Sequence, residues 1–425
     1  MNFLNRKQAA APEPLCPLPR FGVRDTALGK ALLYIGLFLS TALVGIGIGA
    51  MRTTSAEEVS FAEIFCGVCL ILLAVQLWRV TPTARGNLFL LVFVGGFLYY
   101  STHSLIPAAV LCGLIFAVSE GSVLLALRPK GKGHLIPLIP LLAYALTVAV
   151  TRDPVGAVAV LIPYPPMIAL GLGTRRSTAG EEGPTRVGVI CSASLWLGIA
   201  MGGMILLSVF RHAGTADLTA ILDAARESVI ESLTSAELPS DLPAETLEAL
   251  RELFSYNNVK NLVDSTFNIL PALYTVLVMV MVFICQSIQF AHLRALGLQE
   301  CLTSRVKEFR MSLVACVVFL AAYLVVFLDR SVVISMGAIV AQNIYVILLP
   351  GLALSGVVRL WKALTGKGAR ALGCLFYIVI LIPCLLVSYP IIPAAIEVIS
   401  RIYTAIIEKL KPRDEDDDLF GGSGD

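Results

Sequence analysis

Leu105 to Leu127 reads LIPAAVLCGLIFAVSEGSVLLAL, 23 residues with one charge, Glu120. A bilayer core of about 30 Å asks roughly 17 to 25 apolar residues of a helix, because an unpaired backbone in hydrocarbon is too costly. The stretch has that length, and others like it recur at 31–50, 61–78, 88–103, 134–150, 155–173, 187–210, 266–290, 311–328, 332–358 and 371–390. The fold class expected is therefore all-α: a polytopic transmembrane helix bundle of about 10 to 11 spans with a small outward-facing helical segment. Composition agrees. The 425 residues are 57% hydrophobic and 15% charged, with a mean hydropathy of +0.83, more apolar than a soluble globule can bury. The net charge of +2 gives no basic excess, so no nucleic-acid partner is expected.

Residues 1–30 form a cytoplasmic leader, too long for the flank of a signal peptide, so the run at 31–50 is read as an uncleaved first span. The loops 1–30, 79–87, 128–133, 174–186, 291–310 and 359–370 carry 21 Lys and Arg, against 7 in the alternate set. Positive loops stay inside, which places the N-terminus in the cytoplasm. On this count residues 31–210 make an N-terminal transmembrane bundle and 266–390 a C-terminal one. Between them, 211–265 holds 4 basic and 10 acidic residues and faces outward. Leu218, Ile221, Leu222, Ala225, Val229 and Leu233 recur at helical spacing, and Leu247, Leu250, Leu253 and Phe254 form a second stripe after Pro243. Two amphipathic helices joined at Glu237–Asp241 are expected, a cap over the bundle rather than a separate enzyme domain.

In 391–411, Glu397, Ser400, Arg401, Thr404 and Glu408 share one helical face, opposite Ile396, Val398, Ile399, Ile402, Ile406 and Ile407. That pattern predicts an interfacial amphipathic helix. The acidic, Gly/Ser-ended residues 412–425 read as a disordered tail.

Ionisable groups at bilayer depth cost about 2.5 to 3.5 kcal/mol on insertion scales, so they mark candidate sites. Glu120, eight residues before Arg128, is the first: a proton-titrating or cation-binding carboxylate, or else one solvated from the cytoplasm or paired with a neighbouring helix. Gln286, Gln289, Gln342 and Asn343 are the other candidate ligand or coupling residues, with interhelical hydrogen bonding as the alternative role. Gly45 and Gly49 in the first span, and Ser194, Gly198 and Gly202 in the seventh, give small-xxx-small faces for helix packing. Pro137, Pro140, Pro163, Pro165 and Pro166 punctuate the fifth and sixth spans, where a broken helix frees backbone groups. His103, His134, His212 and His292 fall near span ends without metal-ligand spacing. Cys66, Cys69, Cys112, Cys191, Cys285, Cys316, Cys374 and Cys384 lie in or beside apolar runs and read as small buried hydrophobes. Neither a metal nor a cofactor is expected.

No Walker loop, His-Glu-x-x-His pair or Gly-x-Ser-x-Gly elbow occurs in the sequence, so neither ATP-driven work by this chain nor enzyme activity is expected. The second half, 186–389, resembles the YybS-like family of multi-pass bacterial membrane proteins. The likeness is carried by the glycine-rich Gly198–Gly203, Asn268-Ile-Leu-Pro271, Arg294-Ala-Leu-Gly297 and Asn343-Ile-Tyr-Val-Ile-Leu-Leu-Pro-Gly351 leading to Arg359; the first 130 residues carry extra spans. The resemblance implies a bacterial cytoplasmic membrane and a distant similarity to the substrate-binding subunits of energy-coupling-factor transporters. It supplies no substrate. Small-molecule binding or transport is the first functional expectation, and a non-transporting scaffold or regulator of a membrane partner protein is the second. The lipid bilayer is a partner in both.

Overall fold

A computed structural model of the protein describes residues 27–52, 56–80, 95–96, 99–100, 102–126, 136–178, 186–213, 217–235, 244–295, 311–328, 336–365 and 390–410. Residues 1–26 of the leader, 371–389 of the span expected at 371–390, most of that at 88–103, the turn at 237–241, His134 and the acidic tail lie outside them. Among the described residues the chain is helical and has no strand. The helices are α1 (Ala27–Arg52), α2 (Ala56–Val80), α3 (Ile106–Ala126), α4 (Leu138–Thr151), α5 (Tyr164–Thr178), α6 (Arg186–Ala213), α7 (Leu218–Thr234), α8 (Ala244–Leu253), α9 (Tyr256–Ala295), α10 (Leu313–Leu328), α11 (Met336–Thr365) and α12 (Ile391–Leu410). Six are long and apolar enough to cross a membrane, and three shorter apolar helices fall on the runs at 61–78, 134–150 and 311–328.

The chain divides into two compact units. The first comprises residues 1–223 and 277–303, and the second 224–276 and 304–425. In the first, α1 and α3 are central: α1 packs on α2, α3 and α4, and α3 on α2 and α5. Glycine sets these approaches. A side chain at Gly45 would meet Val160 and Thr147, one at Gly49 would meet Thr151, and one at Gly113 would meet the Ser40 carbonyl. The expected small-xxx-small pair of α1 is thus set against α4. Around the prolines of the sixth span the backbone makes a 3-10 turn over Gly156–Leu161, a turn at Ile162 and Pro163, and only then α5. The span is discontinuous because proline lacks the amide hydrogen a helix interior needs.

In the second unit the cap core is formed by Ile230 of α7 with Val259 and Val263 of α9, flanked by Leu233, Phe254 and Phe267. Here the structure refines the two-helix expectation. The helix α9 starts at Tyr256, ten residues before the apolar run, and its 40 residues reach about 60 Å. The last turns of the outward segment and the following span are one helix. Val229 and Leu253, counted into the apolar stripes, are exposed. On α10 and α11, Phe319 stacks on Tyr345 at 5.1 Å, with Tyr323 tilted against the same ring at 5.9 Å.

Candidate functional site

Among the described residues the most polar interior lies in the first unit, where α3, α5 and the end of α9 converge. Glu120 is 1% exposed, and Ser119, Ser122, Thr174, Gln286, Gln289 and His292 are buried with it. Helical spacing places Gln286, Gln289 and His292 three residues apart on one face of α9, with Cys285 beside them. Two hydrogen bonds hold that face in place. The Ser119 hydroxyl donates to the Ile115 carbonyl at 2.6 Å and lies 3.2 Å from the Cys285 carbonyl. The Thr174 hydroxyl donates to Gln289 Oε1 at 3.3 Å. Ser122 turns back to the Ser119 carbonyl at 2.7 Å.

These contacts fix level as well as proximity. Ser119, Thr174 and Gln289 each stand within two turns of the C-terminal end of their helix, so α3, α5 and α9 end at one level, as three helices leading into expected cytoplasmic loops must. Close packing surrounds Glu120. A side chain on Gly121 would run into Met167, and one on Gly171 would meet Leu125 and the Ser122 carbonyl. The Nε2 of Gln289 has no hydrogen-bond partner among the described residues. A carboxylate, two amides, an imidazole and three hydroxyls at this depth supply both donors and acceptors, the chemistry that recognises a small polar or cationic group.

The remaining candidates lie elsewhere. Asn343 is in the second unit and serves α9. Its Oδ1 accepts from the Ala272 amide at 3.0 Å, and its Nδ2 donates to the Asn268 carbonyl at 2.8 Å and to Ile339 at 2.9 Å. Its neighbour Gln342 is half-buried. Ser194 is buried on α6, with Gly198 and Gly202 half-buried on the same helix. Of the cysteines, Cys66, Cys69, Cys112, Cys285 and Cys316 are free and buried, whereas Cys191 is exposed, a departure from the reading of all as buried hydrophobes.

Two polar elements were not assigned a role from sequence. His292 has no metal-ligand spacing, but the repeat Gln286-x-x-Gln289-x-x-His292 was the signal for its burial on the amide face. Glu63, near the start of the second span, accepts from the Ser104 hydroxyl at 2.8 Å while that oxygen receives the Ile106 amide at 3.2 Å, capping α3.

A charged cluster ties α12 to α11. Arg359 Nε donates to Glu397 Oε2 at 2.6 Å, Arg401 Nε to Glu397 Oε1 at 3.1 Å, and Arg359 Nη1 donates to the Ser400 hydroxyl. Burial alone pushes the Glu397 carboxyl up; the hydrogen bond and charge of Arg359, with help from Ser355 and Arg401, outweigh it and hold the group below its usual range. Glu397, Ser400 and Arg401 therefore face protein, and Ile399, Tyr403, Ile406 and Ile407 are exposed. Exposed isoleucines suit the lipid-facing side of such a helix; what differs from the simple interfacial picture is that Glu397 turns to protein rather than to water.

Apolar rows on long helices and a buried polar seam define the class: a multi-pass α-helical membrane protein. The chain belongs to the family described as predicted membrane protein (DUF2232), which matches residues 122–393 and agrees with the YybS-like resemblance. The match starts inside α3, at Ser122, and so takes in α4 and α5 ahead of the region where the resemblance was read. No curated protein and no solved structure matches the chain.

Proposed function

We propose that the protein binds a small polar or cationic molecule at the seam of Glu120, Gln286, Gln289 and His292, and moves it, or presents it to a membrane partner, across a bacterial cytoplasmic membrane. The supporting observation is the burial of Glu120 among unlike polar side chains at span depth. Packing alone has little use for such a group, because apolar residues fill the same space at lower cost. The N-terminus lies in the cytoplasm on this reading, from the 21 to 7 distribution of basic residues between alternate loops. No Walker loop occurs in the sequence, so on this reading energy comes from an ion gradient or from a partner, as the YybS-like resemblance implies.

A second reading is a non-transporting scaffold. The Thr174 to Gln289 bond favours it, since amides and hydroxyls bonded between helices serve packing, at about 1 kcal/mol each. The two readings part in what the purified protein carries. Mass spectrometry of the small molecules released on denaturing monodisperse protein should find a retained polar metabolite. Recovery of partner proteins alone, with no metabolite above the detergent blank, supports the scaffold.

A further inference from the structure

We propose that Arg359 and Arg401 form a headgroup site for an anionic phospholipid, where α12 docks on the end of the α11 span. One carboxylate stands between two guanidinium groups, so the cluster carries a surplus positive charge. Each arginine meets Glu397 through Nε. An arginine has five N–H donors, and among the described residues no protein partner is engaged by either terminal nitrogen of Arg401 or by Nη2 of Arg359. The side chains are 31% and 26% exposed, while Glu397 is 1% exposed. Glu397 thus acts as a positioning residue: it fixes two planar forks and leaves their ends open, the geometry that suits a phosphate.

Location selects the source of that phosphate. The apolar window of α11 ends at Leu360, one residue past Arg359, which sets the guanidinium at the level where hydrocarbon gives way to headgroups. A phosphate held at that boundary belongs to a lipid with a net negative headgroup. Free phosphate is the other source of the same chemistry, and the competition below separates the two.

The test uses the full chain in neutral detergent with a photoactivatable phosphatidylglycerol, adducts being mapped by peptide mass spectrometry. Adducts are expected within 391–410, displaced by unlabelled phosphatidylglycerol but not by equal phosphatidylcholine or by millimolar inorganic phosphate. Arg401→Gln should lower the adduct yield roughly fivefold, as for loss of one basic residue at a membrane surface. If that variant is not recovered monodisperse, the competition pattern on the unaltered protein decides. Equal displacement by phosphatidylcholine, displacement by inorganic phosphate, or an unchanged yield in Arg401→Gln overturns the proposal. Metabolite retention at the Glu120 seam is read separately, so failure of one site is not failure of the other.

Discussion

The Asn343 side chain takes the amide hydrogen of Ala272 at 3.0 Å and returns a hydrogen to the Asn268 carbonyl at 2.8 Å. It stands in for the backbone bond that Ala272 would make to Asn268. Pro271 is the cause: it has no amide hydrogen and its ring crowds the preceding turn, so the ladder of α9 opens there. A carboxamide, with donor and acceptor side by side, is the side chain that closes such a gap.

Asn343→Leu should therefore lower stability by about 1–3 kcal/mol, the cost of leaving buried backbone groups unsatisfied. Pro271→Ala lets the ladder close by itself and should suppress most of that loss. The thermal midpoints of the two single variants and the double variant in detergent test this as a double-mutant cycle. Additive losses would mean that Asn343 does not serve the proline gap.

Helix docking at α12 depends on Gly356, whose missing side chain leaves room for the Pro393 carbonyl. Backbone cannot give way as a flexible side chain can. Gly356→Ala should loosen α12, seen as faster proteolysis after Arg401. Gly203→Ala, at a helical position with nothing within 4 Å, should change stability by no more than about 0.5 kcal/mol.

Acid should release the same helix late. Glu397 is held below the ordinary carboxylate range, so its stabilising pairing is fully present above the unfolded value near about 4.3. It is lost only as pH falls through the lower folded value. Protease access after Arg401 should stay flat from neutral pH to mild acid and rise below it, and in Glu397→Gln the access should already be raised at neutral pH. A rise in the unaltered protein centred near neutral pH would contradict this.

Orientation is testable at two positions outside the described residues. A cysteine placed at Ser240 should react with an impermeant thiol reagent in intact cells, and Cys301 should react only after permeabilisation, in a background where the exposed Cys191 is replaced. Equal labelling contradicts the charge-based topology.

The spans were legible because length and hydropathy act locally: α1, α3, α6 and α11 fall on runs visible in the sequence. What each polar residue meets was not. Asn343 shows as an amide at depth, but its partners lie 71 and 75 positions away, and nothing local says which helix it faces. The start of α9 was hidden for another reason. Its outer turns, Tyr256 to Ser265, are polar and their apolar positions cover α7 rather than face lipid, so hydropathy marked the membrane edge and not the helix end. His292 was readable from the spacing of Gln286 and Gln289, but its place near a span end without metal-ligand spacing left it without a role. On α12 the two faces were separable in the sequence, but not that Glu397 meets protein instead of water, because its pairing with Arg359 is a tertiary contact.

The seam at Glu120 remains the centre of the account. The deciding measurement is metabolite retention across pH by the full chain and its Glu120→Gln variant, each normalised to monodisperse protein. That change keeps shape and hydrogen bonding while removing the titratable charge. The account predicts a folded variant, with a thermal midpoint close to that of the unaltered protein, that loses the retained molecule or the pH dependence of its retention. Unchanged retention at every pH, whether or not the midpoint falls, would contradict it and leave Glu120 as a structural residue.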